Sequence, residues 1–212
     1  MNFALFGAPG CGKGTQAQML MKHLSMVQIS TGDLFRASIK NGTPIGKRAK
    51  EFLDAGQLVP DEVVVEVVKQ AIQGIQRPFI LDGFPRTLNQ AKALQSMLSE
   101  LGIDIGKFVF IEVPDEILTK RITGRRVCKS CGAIYHADVK PEVLSGKCDK
   151  CGGEVYQRSD DKHELVGERL KVYYEQTEPL KNFYKNQGGY VEVNGNRGAQ
   201  EIFEDLLNLL KA

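Results

Sequence analysis

The sequence predicts an α/β fold: a parallel β-sheet with helices on both faces and small modules inserted into it. Three observations lead there. An apolar run at residues 2–6 stops at Gly7 and passes through a glycine-rich turn into a helical pattern, the order of strand, tight turn and helix. Short apolar runs then alternate with helix-length segments, and the runs at 2–6 and 108–113 are apolar almost throughout, as strands buried on both faces are. From residue 126 to about 158 the apolar residues thin out and a set of cysteines appears, which marks an insertion within the α/β unit.

The elements follow in order. Residues 15–23 read as a helix and 26–29 as a short strand. Ser30-Thr31-Gly32-Asp33 offers caps for a helix over 34–40. Asn41-Gly42-Thr43-Pro44 breaks the chain, and 45–55 reads as a helix ending at Gly56. Pro60 and Asp61 start another, with Val63, Val64, Val67, Val68 and Ile72 at helical spacing. Pro78 to Leu81 forms a buried strand running into the loop D-G-F-P, and 89–101 reads as a helix. Pro114 closes the strand 108–113, and 115–124 is helical. Helix character returns over 165–184, with a last strand at 189–193 and a last helix at 200–210.

Bulk composition narrows the classes. The 212 residues are 42% apolar, enough for one core domain with one or two small inserted modules. A formal net charge of +2 with 25% charged residues gives no general nucleic-acid coat. The N-terminal apolar run lacks a basic flank and is too short for a signal peptide, and no stretch reaches the length of a membrane span. The expected compartment is the reducing cytoplasm, where five cysteines do not build a disulfide framework.

G-A-P-G-C-G-K-G-T, Gly7 to Thr15, follows a strand and opens a helix. Its glycines let backbone N–H groups wrap around phosphates, the helix N-terminus favours negative charge, and Lys13 supplies a mobile cation. The generic phosphate-loop motif has Ser or Thr directly after the lysine. Here Gly14 intervenes before Thr15. Asp82, at the carboxyl end of an apolar strand facing this loop, stands where a ligand to Mg²⁺-bound water belongs.

Together with S-T-G-D-L-F-R, L-D-G-F-P-R-T-x-x-Q-A and G-R-R-V-C, this loop resembles the adenylate kinase family, in its long-lid form, essentially from end to end. The family carries Gly14 at the same place. The resemblance implies a P-loop NTPase-type sheet, a small helical insertion that binds the acceptor monophosphate, and a small zinc-bearing lid. Its segments would be core residues 1–29, 60–121 and 160–212, an AMP-binding part at 30–59 and a lid at 122–159.

It also implies roles. Gly10, Cys11, Gly12, Lys13, Gly14 and Thr15 would cradle ATP, with Arg121, Arg125, Tyr135, His136 and Arg197 around it. Arg197 would act largely through its backbone. Thr31, Arg36, Gln57, Leu58, Val59, Gly83, Arg86 and Gln90 would bind AMP, with Gln90 reading the base edge. Asp33 and Asp82 would orient Mg²⁺-bound water. Lys13, Arg86, Arg125, Arg158 and Arg169 would stabilise the moving phosphoryl group, Arg158 and Arg169 also touching AMP. Without the resemblance, Arg36 reads equally as a solvated helix residue, Asp33 as a cap, and the later arginines as a basic face with salt bridges.

Cys128, Cys131, Cys148 and Cys151 give C-x2-C-x16-C-x2-C, the spacing of a tetrahedral S₄ metal site. Four protein thiolates leave no position for water or substrate, so the site is structural. Zinc is expected, and iron is the rival because the geometry does not exclude it. Lysines in the module are offset by Asp138, Glu142, Asp149 and Glu154, and Tyr135, His136 and Tyr156 are scattered, which argues against nucleic-acid binding.

The expected activity is Mg²⁺-dependent transfer from ATP to AMP, giving two ADP, by a monomer that binds neither membrane nor nucleic acid. A kinase for UMP, CMP or GMP is the nearest alternative. A zinc-ribbon nucleic-acid ATPase, or a structural zinc module on an inactive fold, belongs to other classes. The first lacks a basic aromatic surface, and the intact lysine and arginine set speaks against the second.

Overall fold

The computed structural model describes residues 1–141 and 145–211. Glu142, and the parts of the expected lid and core ranges at 142–144 and 212, lie outside these. In chain order the elements are β1 (Asn2–Phe6), α1 (Lys13–Leu24), β2 (Val27–Ser30), α2 (Thr31–Lys40), α3 (Pro44–Asp54), α4 (Asp61–Gln73), β3 (Phe79–Asp82), α5 (Leu88–Leu101), β4 (Ile105–Glu112) and α6 (Asp115–Gly124). They continue with β5 (Arg125–Cys128), β6 (Ile134–His136), β7 (Val155–Tyr156), α7 (His163–Val172), α8 (Leu180–Lys185), β8 (Tyr190–Asn194) and α9 (Ala199–Lys211).

Local chemistry places the helix starts. Ser30 accepts a hydrogen bond from the Asp33 N–H, Thr43 from Gly46 and Thr87 from Gln90, the side-chain caps that satisfy orphan N–H groups. Pro60 and Pro114 stand at the N-caps of α4 and α6, each followed by two acidic residues that suit the positive helix end.

The main sheet has the order β2-β3-β1-β4-β8, with every pairing parallel. In β1, Phe3 and Leu5 join one buried cluster, with Leu20, Ile111, Leu118 and Ile202 from α1, β4, α6 and α9. Ala4 and Phe6 join the other, with Phe35, Val68, Leu94 and Tyr184 from α2, α4, α5 and α8. That period-2 alternation is why the strand is apolar throughout: both its faces are core. Truncating Phe110, fully buried and stacked on Phe6 at 4.5 Å, would cost about 3–5 kcal/mol.

The chain passes from the β3 side of β1 to the β4 side, so the carboxyl ends of these strands open onto a crevice. Leu5 pairs with Asp82 in β3 and with Val109 in β4, which brings the end of β3 beside the loop after β1.

Several boundaries shift by one to three residues from the sequence reading, and two differences have a visible cause. The strand expected at 108–113 begins at Ile105 and ends at Glu112, because β1 pairs with Ile105 and Lys107 around a register irregularity. The continuous helix expected over 165–184 is interrupted. A π-helical turn runs from Tyr173 to Thr177, with the Glu178 N–H donating to the Tyr173 carbonyl at 2.9 Å. Pro179 has no N–H and its ring would meet the carbonyl four residues earlier, so the wider turn relieves a clash the apolar pattern does not reveal.

The inserted module is a small antiparallel sheet, order β6-β5-β7. Its buried set is Cys128, Ala133, Tyr135, Cys148 and Val155, too little apolar surface to hold a module by itself. Among the described residues no helix is long and apolar enough to cross a membrane.

Candidate active site

The loop after β1 is shaped by Gly10 and Gly12, at φ 82° and 108°, conformations that exclude most side chains. Gly12 is the N-cap of α1 and Lys13 its first residue. The Lys13 ammonium donates to the carbonyls of Gly7 at 2.6 Å and Ala8 at 3.1 Å, and lies 3.4 Å from Cys11 Sγ. All three of its donors are therefore engaged within the loop.

A cleft of about 1080 Å³ gathers most of the sequence-expected residues. Gly10, Cys11, Gly12, Lys13, Gly14 and Thr15 line it from the loop. Asp33, Arg36, Gln57, Leu58, Asp82, Gly83, Arg86, Arg121, Arg125, Tyr135, His136, Arg158, Arg169 and Arg197 complete its lining. Thr31, Val59 and Gln90 are in an adjoining cavity shared with Gln57, Leu58 and Arg86. Its volume, about 20 Å³, is room for about one water.

The cleft is electrostatically unbalanced. Burial holds the Arg86 guanidinium below its ordinary pKa, and nearby Arg169 adds to this. Burial beside Arg36 and Arg125 brings Arg158 down to about 10, and its Nε is buried with no hydrogen-bond partner among the described residues. Orphaned donors among like charges are costly unless an anion joins them. Burial also pushes the Asp82 carboxyl above its usual range, despite Lys13 nearby and a hydrogen bond from Gln28 Nε2 to Oδ2 at 2.7 Å. Asp33 behaves oppositely: burial would raise it, but Arg36 and Arg158 outweigh that and hold it low.

Other side chains hold the arginines. Arg125 pairs through Nε and Nη2 with both oxygens of fully buried Asp161, and Arg169 Nη1 meets the same carboxylate at 2.8 Å. Arg86 Nε donates to the Gly83 carbonyl at 2.7 Å. Arg121 Nη1 donates to the Gly195 carbonyl at 3.1 Å. Arg197 donates through its guanidinium to Asp205 and through Nε to the Asn194 carbonyl at 3.2 Å. No sequence motif marks Asp161 or Gln28 as part of the site. Their partners lie 36 and 54 residues away, beyond any local motif.

The four module cysteines converge: all their Sγ atoms lie within 4.8 Å of one another. Cys128 and Cys151 are 3.5 Å apart, and Cys131 and Cys148 3.6 Å. A tetrahedron with Zn–S of about 2.3 Å has S···S edges of about 3.8 Å, so the cluster fits such a metal. The Tyr135 hydroxyl lies 3.1 Å from Cys148 Sγ and donates to Asp149. Its ring thus borders the cleft while its polar end serves the cysteine site. His136 contacts the Lys120 carbonyl at 3.1 Å.

The module sits over the loop. Gln18 in α1 donates to the Gly132 carbonyl at 3.1 Å, and Ser159 donates to Asp54 at the end of α3 at 2.9 Å.

A family model described as adenylate kinase matches residues 5–189. An adenylate kinase of Desulforamulus reducens is 50% identical over 213 residues, covering 100% of both chains. One of Geobacillus sp. (strain WCH70) is 49% identical over 212 residues, 99% of this chain and 98% of that protein. An adenylate kinase of Archaeoglobus fulgidus is 47% identical over 213 residues, 100% of this chain and 98% of that protein.

Proposed function

The chain belongs to the adenylate kinase family, and from that membership we propose how its own residues carry the reaction. The enzyme transfers a phosphoryl group reversibly from ATP to AMP, giving two ADP. The observation that supports the residue roles best is the convergence on one cleft of Lys13, Arg36, Arg86, Arg125, Arg158 and Arg169.

In this reading ATP phosphates lie on the Gly10–Thr15 loop and the start of α1. Lys13 exchanges its bonds to Gly7 and Ala8 for phosphate oxygens. Arg36 and Arg86 hold the AMP phosphate, and Arg125, Arg158 and Arg169 meet the charge on the transferring group. Arg121, Tyr135, His136 and the backbone at Arg197 border ATP. Thr31, Gln57, Leu58, Val59, Gly83 and Gln90 enclose the AMP base. An AMP phosphate oxygen attacks the γ-phosphorus and the bond to the β-phosphate oxygen breaks. The attacking oxygen is already anionic near neutral pH, so no general base is needed. Positioning and charge stabilisation do the catalysis.

Mg²⁺, when bound with ATP, would neutralise phosphate charge. Asp82 and Asp33 offer the hard oxygen ligands that its water shell suits. Zinc in the Cys128, Cys131, Cys148 and Cys151 site would make the module one rigid body. We assign 1–29, 60–121 and 160–212 to a core, 30–59 to an AMP-binding part and 122–159 to a lid. The lid closes over ATP and keeps water from the transfer. A cytoplasmic monomer is the working form.

A coupled assay with ATP, Mg²⁺ and AMP, UMP, CMP or GMP tests the acceptor. Fast transfer to AMP alone is expected. No transfer to AMP, or faster transfer to a pyrimidine monophosphate, would overturn the reading.

A further inference from the structure

We propose that Asp61 is a positioning residue that decides which purine the acceptor pocket takes, by fixing the orientation of the Gln90 amide. This rests on the reading that Gln90 faces the acceptor base.

A glutamine amide has an acceptor at one end and a donor at the other, and half a turn exchanges them. Its neighbours decide which end a base meets. Gln90 Nε2 donates to Asp61 Oδ1 at 2.7 Å, and Gln90 Oε1 accepts the Arg86 backbone N–H at 2.8 Å. A carboxylate cannot donate and a backbone N–H cannot accept, so both neighbours reject the turned amide. Gln90 is 1% exposed, which leaves little water to rescue a wrong orientation.

Asp61 is itself held. Its Oδ2 accepts the Thr87 hydroxyl at 2.8 Å, and that hydroxyl oxygen accepts the Gln90 N–H at 3.1 Å. Asp61 is the first residue of α4 and Thr87 the cap of α5, so the contact also ties two helix starts together.

After these bonds the amide retains one N–H on Nε2 and acceptor capacity on Oε1. Gln90 borders the small cavity beside Thr31 and Val59. An adenine edge offers an N6–H donor beside the N1 acceptor, which matches. A hypoxanthine edge offers the O6 acceptor beside an N1–H donor and needs the turned amide. Guanine carries the same reversal and a further amino group. Asp61 thus rejects 6-oxopurines without touching the nucleotide, by making the wrong pattern leave buried groups unpaired.

The test measures initial rates of the full-length enzyme with ATP, Mg²⁺ and either AMP or IMP as acceptor. It compares wild type, Asp61→Asn, Asp61→Ala and Gln90→Leu. The readout is the preference for AMP over IMP as a ratio of kcat/KM. It should fall about tenfold in Asp61→Ala. It should fall less in Asp61→Asn, which keeps the shape and fold but can turn a donor toward Gln90. KM for ATP should stay within about twofold, since the change is confined to the acceptor pocket. If both Asp61 variants keep the preference while Gln90→Leu loses it, Asp61 is only a brace between α4 and α5 and the proposal fails alone. If Gln90→Leu also keeps the preference, the base is not read by Gln90, and the reading of that residue fails together with the proposal.

Discussion

Arg125 and Asp161 form a two-point ion pair at the base of the inserted module: Nε lies 2.7 Å from Oδ2, and Nη2 meets Oδ1 more closely. The carboxylate is fully buried and also binds Arg169. One acidic side chain thereby fixes two of the arginines assigned to phosphoryl transfer. Replacing it by alanine strands the Arg125 guanidinium, while Arg169 keeps Asp160, and breaking a buried pair costs about 3–5 kcal/mol. Asp161→Ala should lower Tm by roughly 10 °C and kcat by at least about tenfold. Calorimetry and steady-state rates read both, and an unchanged Tm would remove the pair from the account.

The same pair sets the direction of a pH effect. Burial alone would raise the Asp161 carboxyl, but Arg125, with Arg169 and Arg158, overcomes this and holds it below its ordinary value. The folded protein then releases this proton more readily than the unfolded chain does. The stabilisation is fully present above the unfolded pKa, about 3.9, and is lost as pH falls through the lower folded value. Urea midpoints of wild type and Asp161→Ala should therefore differ widely at neutral pH and draw together as the pH falls below the ordinary carboxylate range. A gap that stays constant as the pH falls would refute the linkage.

Asp82 has the opposite sign. Burial raises its pKa, with Lys13 and the Gln28 hydrogen bond only partly offsetting the effect. The folded form therefore binds the proton more tightly, and stability falls as pH rises through the window above about 3.9. Asp82→Asn keeps the shape and an acceptor for Gln28 but removes the buried charge. It should raise Tm by about 2–4 °C while lowering Mg²⁺-dependent activity, the stability gain that accompanies loss of a functional charge. A lower Tm would contradict this.

Lys13 spends its three donors on Gly7, Ala8 and Cys11. Methionine in its place keeps the stem but cannot meet developing phosphate charge. Lys13→Met should reduce kcat by about 10²–10³-fold with the circular dichroism spectrum unchanged. A near-normal rate would remove the lysine from the transfer step.

Metal in the cysteine cluster should carry much of the module's folding energy. Chelation should lower Tm, and mass spectrometry under native conditions should show one metal lost. Tyr135, whose hydroxyl contacts Cys148 Sγ and Asp149, should matter to retention. Tyr135→Phe should weaken metal binding by about 10–100-fold in competition with a chromophoric chelator. Unaltered retention would confine Tyr135 to the nucleotide side.

Much of this was legible in the sequence because its signals are local. A strand, two glycines with left-handed backbone and Lys13 fit within a dozen residues, and the cysteine spacing states its own geometry. The supports of the site were not legible. Gln28 reaches Asp82 across 54 residues, Asp61 reaches Gln90 across 29 and Arg125 reaches Asp161 across 36. Each pairing exists only because sheet order brings distant segments together. The π turn at Tyr173–Thr177 was hidden for another reason: Pro179 changes the pitch without disturbing the apolar rhythm.

The position of β8 bears on how the molecule is made. It pairs with β4, yet roughly 80 residues of chain separate the end of one from the start of the other. At about 5–20 residues per second of synthesis, the outer edge of β4 stays bare for several seconds, with Phe108, Phe110 and Ile111 on a strand whose hydrogen-bonding groups have no neighbour. Such an edge is where nascent chains adhere to one another. Through that interval, an edge that β8 covers in the finished protein is open to other chains.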